Sequence, residues 1–416
     1  MGSPMEQNNE NFFLGRQPIL NRRQEIVGYE LLFRATTANR AEFESYPQAS
    51  TSVITSALTN FGLQEVLGGK FGFINVYLGL FLSELLELLP IGQSVLELLE
   101  TIKLDDNVAE RCRELRKLGF KLALDDHVYS PEYHEFYSVV DYVKIDILET
   151  SAEQLPEIVR KLRQWPVKLL AEKVETVEQF ETCAALGFDY FQGYFFERPV
   201  VLNRKRLDVS GRAMLTLLEQ LTVDAPLEEI EQTFKANPSL SYNLLRLVNS
   251  VALGMREKIK TLRHAILMLG TNHLRRWIQL SLFSGSDTRG VDNPLLEMAA
   301  VRGRLMETLV LRKLQQSASS EQSEEAFMTG ILSLLDVLFE TPMDEIISHL
   351  NLSEEVCAAL LDRSGQLGDL LSLAENLEKT DFDAVALLLG RCDITLDDLL
   401  AAQLEAFNWR SGIMTH

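Results

Sequence analysis

Seven short apolar runs in the first half of this chain each close on a residue able to hold a cation, a water or a phosphate: Glu30, Asn75, Glu97, the pair Asp125-Asp126, Lys144, Glu172 and Gln192. A strand that ends in a polar group delivers it to one rim of a parallel barrel, where loops and ligands meet. Carboxylate and amide oxygens are hard donors, which suit Mg2+ or Mn2+ better than a soft metal.

The intervening sequence supports that geometry. Strand-like runs occur at Phe13 to Leu20, Ile26 to Tyr29, Lys70 to Ile74, Ser94 to Leu96, Lys121 to Leu124, Tyr142-Val143, Val167 to Ala171 and Tyr190-Phe191. Helical patterns at Val108 to Leu118, Ala152 to Gln164 and Val177 to Leu186 alternate with them, and Gly119 and Gly187 stand where left-handed caps belong. Pro18 within the first run suits an edge or a barrel closure. Repeated alternation predicts a TIM-like (βα)8 barrel over residues 10–200. The stretch Val76 to Leu89, interrupted by Ser83, Glu84 and Glu87, predicts an amphipathic helix and not a membrane span.

Pro199 through Asp208, carrying Arg204-Lys205-Arg206, predicts a linker at 201–209. Beyond it the 3.6-residue period predicts an all-α domain over 210–410. Helix starts are expected at Asp224 before Pro226, at Ser353, at Thr380 with Asp383 and at Thr395 with Asp398. A polar loop is expected from Gln315 to Glu325.

Composition removes several functions. A chain of 416 residues is long enough for two or three domains. Its formal net charge of -20 disfavours nucleic acid and anionic membrane as partners, so an anionic ligand would need metal ions or local arginines. Cys112, Cys183, Cys357 and Cys392 have no metal or redox spacing, and the first residues lack a secretory pattern, so reduced thiols in a cytoplasmic protein are expected.

Two ordered sets of motifs carry a resemblance. Arg16-Gln17-Pro18-Ile19, Tyr29 to Arg34, Lys144-Ile145-Asp146, Ala171 to Thr176 and Gln192-Gly193-Tyr194 resemble, in order, an EAL domain, the barrel that hydrolyses cyclic di-GMP. Asn237 to Leu240, Leu245 to Ser250 and Ala265 to Gly270 resemble an HDOD domain, so that nearly the whole chain is similar to EAL-HDOD two-domain bacterial signalling proteins. The resemblance implies that Glu30, Asn75, Glu97 and Asp125 bind a first Mg2+ or Mn2+ and that Asp126 helps hold a second. It implies that Lys144 positions the attacking water and that Glu172 is general base or metal contact. Gln17, Arg34 and Gln192 would meet the nucleotide, and Glu100, Asp146 and Glu175 would support the pocket. It also implies a possible homodimer and a protein partner reached through the HDOD domain.

The chain departs from that pattern after Asp125-Asp126, where the family runs Phe-Gly-Thr-Gly and this chain runs His127-Val128-Tyr129-Ser130. Losing two glycines and gaining a β-branched residue stiffens a loop that must close. Leu99 replaces a usual threonine and Lys173 a usual glycine, and Ser333-Leu334 replace the metal-binding His-Asp pair of the wider superfamily of the helical domain. His127 reads more readily as structural than as a replacement ligand. Three functional readings follow: a regulatory adaptor with weak or no phosphodiesterase activity, an active cyclic di-GMP phosphodiesterase giving the linear dinucleotide, and a receptor that binds cyclic di-GMP without cutting it. The stiffened loop places the adaptor first.

Overall fold

The computed structural model describes residues 12–35, 66–99, 102, 105–194, 209–237, 240–241, 243–244, 248, 262–284, 294–313, 320–339, 341–348, 350 and 352–414. These fall into two compact units, Met1–Phe196 with Glu375–Asn408, and Glu197–Ala374 with Trp409–His416. The linker at 201–208, Glu100 and most of the Leu245 to Ser250 motif lie outside the described residues.

In the first unit eight strands close a barrel in chain order: β1 (Phe12–Asn21), β2 (Ile26–Ala35), β3 (Phe71–Val76), β4 (Ser94–Leu98), β5 (Lys121–Leu124), β6 (Tyr142–Asp146), β7 (Lys168–Glu172) and β8 (Tyr190–Gln192). Strands β2 to β8 run parallel, whereas β1 is antiparallel to both β2 and β8. A short connection permits nothing else between β1 and β2. Asn21 makes it, its side-chain Oδ1 accepting from the Arg23 and Glu25 N–H groups while Gln24 takes φ 60°.

The helices between strands begin and end as their sequences dictate. Asp105 accepts from the N–H groups of Asn107 and Val108 to start Asp106–Leu118, and Gly119 ends it at φ 104°. Thr176 and Gln179 form a reciprocal cap for Val177–Leu186, which Gly187 ends at φ 114°. The amphipathic helix expected over Val76 to Leu89 is instead two short pieces, Leu78–Phe81 and a 3-10 turn Glu84–Leu88, divided by the extended residue Ser83.

In the second unit every described element is a helix. Helices Pro294–Lys313 and Ser320–Leu332 cross closely at two glycines, since a Cβ on Gly330 would lie 2.6 Å from the Gly303 Cα. Much of the loop expected from Gln315 to Glu325 is therefore helical from Ser320 onward. Beside that crossing Ser333 Oγ accepts from Arg302 Nη1 at 2.7 Å and donates to the Gly330 carbonyl, and Leu334 is buried. Two expected helix starts move by a residue or more. Pro226 precedes Leu227–Lys235 while Asp224 sits at φ 49°, and Asp381, not Thr380, accepts from Ala384 N–H. Ser353 caps as expected, and Thr395 Oγ1 accepts from Asp398 N–H.

Glu375–Asn408 packs with the barrel, drawn there by aromatic side chains on its inner face. Phe382 stacks on Phe13 with centroids 5.5 Å apart, Phe407 lies over the Arg16 guanidinium, and Gln403 Nε2 donates to the Leu14 carbonyl at 3.0 Å. Within the barrel, Ile19, Phe73, Val95, Ala123, Tyr142 and Leu170 form a buried floor, joined by Val27, Phe71 and Tyr190.

Gly193 follows β8 at φ 144°, and a Cβ there would overlap the Val174 carbonyl. Gly193→Ala is expected to lower stability by more than about 2 kcal/mol in urea unfolding, through a strained φ and a main-chain clash together.

Candidate functional site

The residues two positions beyond the floor form the mouth. Phe73, Val95, Ala123, Tyr142, Leu170 and Tyr190 lie in the floor; Asn75, Glu97, Asp125, Lys144, Glu172 and Gln192 lie one pleat further along the same strands. Side chains two apart share a strand face, so each mouth residue inherits the inward direction of the apolar residue beneath it. Register then gathers them, because Glu30 is level with Phe73, Asn75 with Glu97, Glu97 with Ala123 and Lys144 with Leu170. Successive site residues are thus level or advanced by two, never by one.

At the centre stands Lys144, fully buried. Its Nζ lies 2.7 Å from Glu97 Oε1, 2.7 Å from Asp125 Oδ1, 2.9 Å from Glu172 Oε1 and 3.3 Å from Glu30 Oε2. Three ammonium protons cannot serve four carboxylates fully, and the approach to Glu30 is the longest of the four. Glu30 is further held by Asn75 Nδ2 at 2.9 Å and Gln192 Nε2 at 2.6 Å. Burial alone would raise the Glu30 carboxyl, but Lys144 and these two amides outweigh it and hold the group below its ordinary value. Burial dominates elsewhere, pushing Glu97 well up, Asp125 up, and Glu172 up to about 8. Lys144 is itself driven upward, its four anionic neighbours overcoming desolvation. Both sides of one contact rise because the ammonium enjoys four partners while each carboxylate has only a share of one cation.

The arrangement leaves Asn75 Oδ1, Glu97 Oε2, Glu172 Oε2 and Gln192 Oε1 buried without hydrogen-bond partners, while Glu97 Oε1 and Asp125 Oδ1 have only the shared Lys144 ammonium. Such groups are costly unless something positive completes them. Among the described residues no three acidic, cysteine or histidine side chains are already set around an open metal point, since the Lys144 ammonium takes the point of convergence. All the orphaned atoms are hard oxygens, so the donor set fits a divalent cation of the Mg2+ or Mn2+ type.

Other expected site residues stand further out. Asp126 is exposed at φ 41°, beside Asp125 and Lys173 rather than against Lys144. Asp146 is buried and accepts from the Leu148 and Glu149 N–H groups while pairing with Lys173, so it organises the turn after β6. Glu175 lies just before the Thr176 cap, its N–H donating to Gln179. Gln17 faces the mouth, accepting from Gln192 and donating to Tyr194, whereas Arg34 pairs with Asp383 at 2.8 Å. Glu100 lies outside the described residues.

The altered loop is fixed by an aromatic neighbour that the sequence did not single out. The Tyr137 hydroxyl meets His127 Nε2 at 2.7 Å, and Ser130 N–H donates to it at 3.2 Å, while His127 N–H continues the ladder to the Lys144 carbonyl. Burial pushes His127 down to about 4, so the ring is a neutral structural group near neutral pH. Lys173, where the family has glycine, keeps the glycine-like φ of 55°.

Comparison with known proteins follows the same division. Residues 78–199 match the EAL domain and residues 212–375 the HDOD domain. The chain is 31% identical to the cyclic di-GMP phosphodiesterase CdgJ of Vibrio cholerae over 99% of its own length and 95% of that protein. It is 30% identical to the protein YuxH of Bacillus subtilis over 97% and 98% of the two chains. Among solved structures it is similar to Bacillus subtilis YkuI, with an EAL domain in complex with substrate cyclic di-GMP and calcium, at 20% identity and a TM-score of 0.39, covering 64% of this chain and 75% of that one. The fold and the two matches define an EAL barrel followed in sequence by a helical HDOD domain. The chain belongs to the EAL-HDOD family. No described helix is long and apolar enough to cross a membrane.

Lys144→Met is expected to destabilise the barrel by roughly 3–5 kcal/mol in metal-free urea unfolding, because it strands buried carboxylates. Lys173→Gly is expected to stay within about 1 kcal/mol of the parent, relief of a left-handed backbone offsetting a lost half-exposed ion pair whose Asp146 carboxylate keeps two main-chain N–H donors. Lys173→Val, measured in parallel, should be clearly less stable.

Proposed function

We propose that the barrel is a divalent-cation-dependent phosphodiesterase that opens cyclic di-GMP to the linear dinucleotide. The observation that carries this reading is the set of buried hard oxygens at the mouth that share the single Lys144 ammonium or have no partner. The similarity to CdgJ along nearly both full lengths supports the same substrate. Glu30, Asn75, Glu97 and Asp125 would hold a first Mg2+ or Mn2+, with Asp126 at the exposed side of a second. When bound, such ions polarise the phosphodiester and lower the pKa of water.

The chain's own groups supply the rest. Lys144 would hold the attacking water by donating one N–H to its oxygen once cations draw Glu97 and Asp125 away from the ammonium. Glu172, raised toward neutrality by burial, suits proton acceptance from that water. The water oxygen bonds to phosphorus, the bond from phosphorus to the leaving ribose oxygen breaks, and that oxygen is protonated from solvent. Gln17 and Gln192 line the nucleotide side, and Arg34 would meet phosphate once released from Asp383. Asp146 shapes the turn after β6, and Glu175 finishes the rim. We assign residues 10–200 to the barrel and 210–410 to the helical region, whose HDOD part serves as a scaffold for a protein partner in the cytoplasm, with barrel-mediated homodimers as a further element.

One observation favours slower chemistry. His127 to Ser130 is tied to Tyr137 and contains no glycine, which supports an adaptor or a non-cutting receptor. Incubating the full chain with cyclic di-GMP and Mn2+ separates these readings. Linear product, reduced at least about a hundredfold by Glu172→Gln, is the expected outcome. Binding without product that persists after rebuilding 127–130 as Phe-Gly-Thr-Gly would make the barrel a receptor, and absence of binding would make it an adaptor.

A further inference from the structure

The mouth is connected to the chain's C-terminal segment by a run of directed hydrogen bonds. Glu30 Oε2 accepts from Gln192 Nε2 at 2.6 Å, and the same amide nitrogen donates to Gln17 Oε1 at 2.8 Å. Gln17 Nε2 donates to the Tyr194 hydroxyl at 2.8 Å, which donates in turn to the Glu378 carbonyl at 3.1 Å. Both ends accept only, one being a carboxylate and the other a main-chain carbonyl. With both ends fixed, one orientation of each amide satisfies every donor along the run. That orientation leaves Gln192 Oε1 buried, without a partner, beside the carboxylates.

The far anchor is itself well determined. Helix Gly365–Glu378 ends with carbonyls that have no intrahelical donor. Those of Glu375, Asn376 and Leu377 accept from the N–H groups of Lys379, Asp381 and Thr380, and that of Glu378 takes the Tyr194 hydroxyl. The turn is pressed on β1 by the Phe13–Phe382 stack, with Gly15 leaving room for Thr380, whose Cγ2 would be 2.7 Å from a Cβ at residue 15.

We propose that Tyr194 is a positioning residue through which the segment Glu375–Asn408 sets the orientation of Gln17 and Gln192 at the barrel mouth, presenting Gln192 Oε1 as a donor oxygen for a cation. The inference rests on reading the mouth as a cation site. Removing the hydroxyl frees the Gln17 amide to turn over, and Gln192 then loses the neighbour that complements it. The loss of one neutral hydrogen bond corresponds to about three- to tenfold in affinity.

Two measurements on the full-length chain test this. In Tyr194→Phe, which keeps the ring, the side-chain NH2 protons of Gln17 and Gln192 should exchange with solvent at least about tenfold faster by NMR, while backbone amides of β8 stay unchanged. Titration with Mn2+ alone should show binding weakened about three- to tenfold, and the double variant with Phe382→Ala should be no weaker than Tyr194→Phe by itself. Unchanged side-chain exchange overturns the proposal, as does faster exchange with Mn2+ affinity unaltered. A parent protein that fails to bind Mn2+ defeats the cation-site reading of the mouth and with it the presentation of Gln192 Oε1, while the exchange measurement still decides whether Tyr194 orders the amides.

Discussion

One buried ammonium among four carboxylates holds the mouth of this barrel together. Coulomb attraction at 2.7 to 3.3 Å in a poorly polarisable interior is strong, yet it offsets desolvation only when geometry and further hydrogen bonds are good. Here they are good on one side only. Glu30 has two amides besides Lys144 and keeps its charge easily, while Glu97, Asp125 and Glu172 have only a share of that ammonium and are pushed toward protonation. The cluster is therefore stable enough to persist and short of positive charge. That imbalance underlies the proposal that a divalent cation completes the mouth.

The barrel makes the imbalance possible by layering. An apolar floor supplies the cohesion, and the polar mouth stands one pleat above it on the same strands. Hydrophobic burial below anchors each backbone, so the side chains above need not stabilise the fold themselves. Rigid elements hold a site more exactly than loops do, and Glu30, Glu97, Lys144 and Glu172 lie within strands, with Asp125 directly after one.

Much of this was legible in the residues. The polar residues Glu30, Asn75, Glu97, Asp125, Lys144 and Glu172 mark the mouth because strand period and side-chain direction are local properties, although β2 runs on past Glu30 to Ala35 and β6 past Lys144 to Asp146. Gly119 and Gly187 announce their helix ends for the same reason. What escaped depends on contacts between distant segments. The division of Val76 to Leu89 at Ser83, the anchoring of His127 by Tyr137, and the pairing of Arg34 with Asp383 have no local periodic sign. Lys173 shows the boundary well, since a residue unsuited to φ 55° is held there by its surroundings and by Asp146.

The even register steps around the wall have an evolutionary corollary. Inserting or deleting a single residue in any of these strands would turn its donor outward and expose its floor residue, whereas a two-residue change preserves facing and only moves the donor by one layer. A change in length is accordingly better tolerated in the connecting segments, and chemistry here can be altered by substitution far more readily than by sliding a strand.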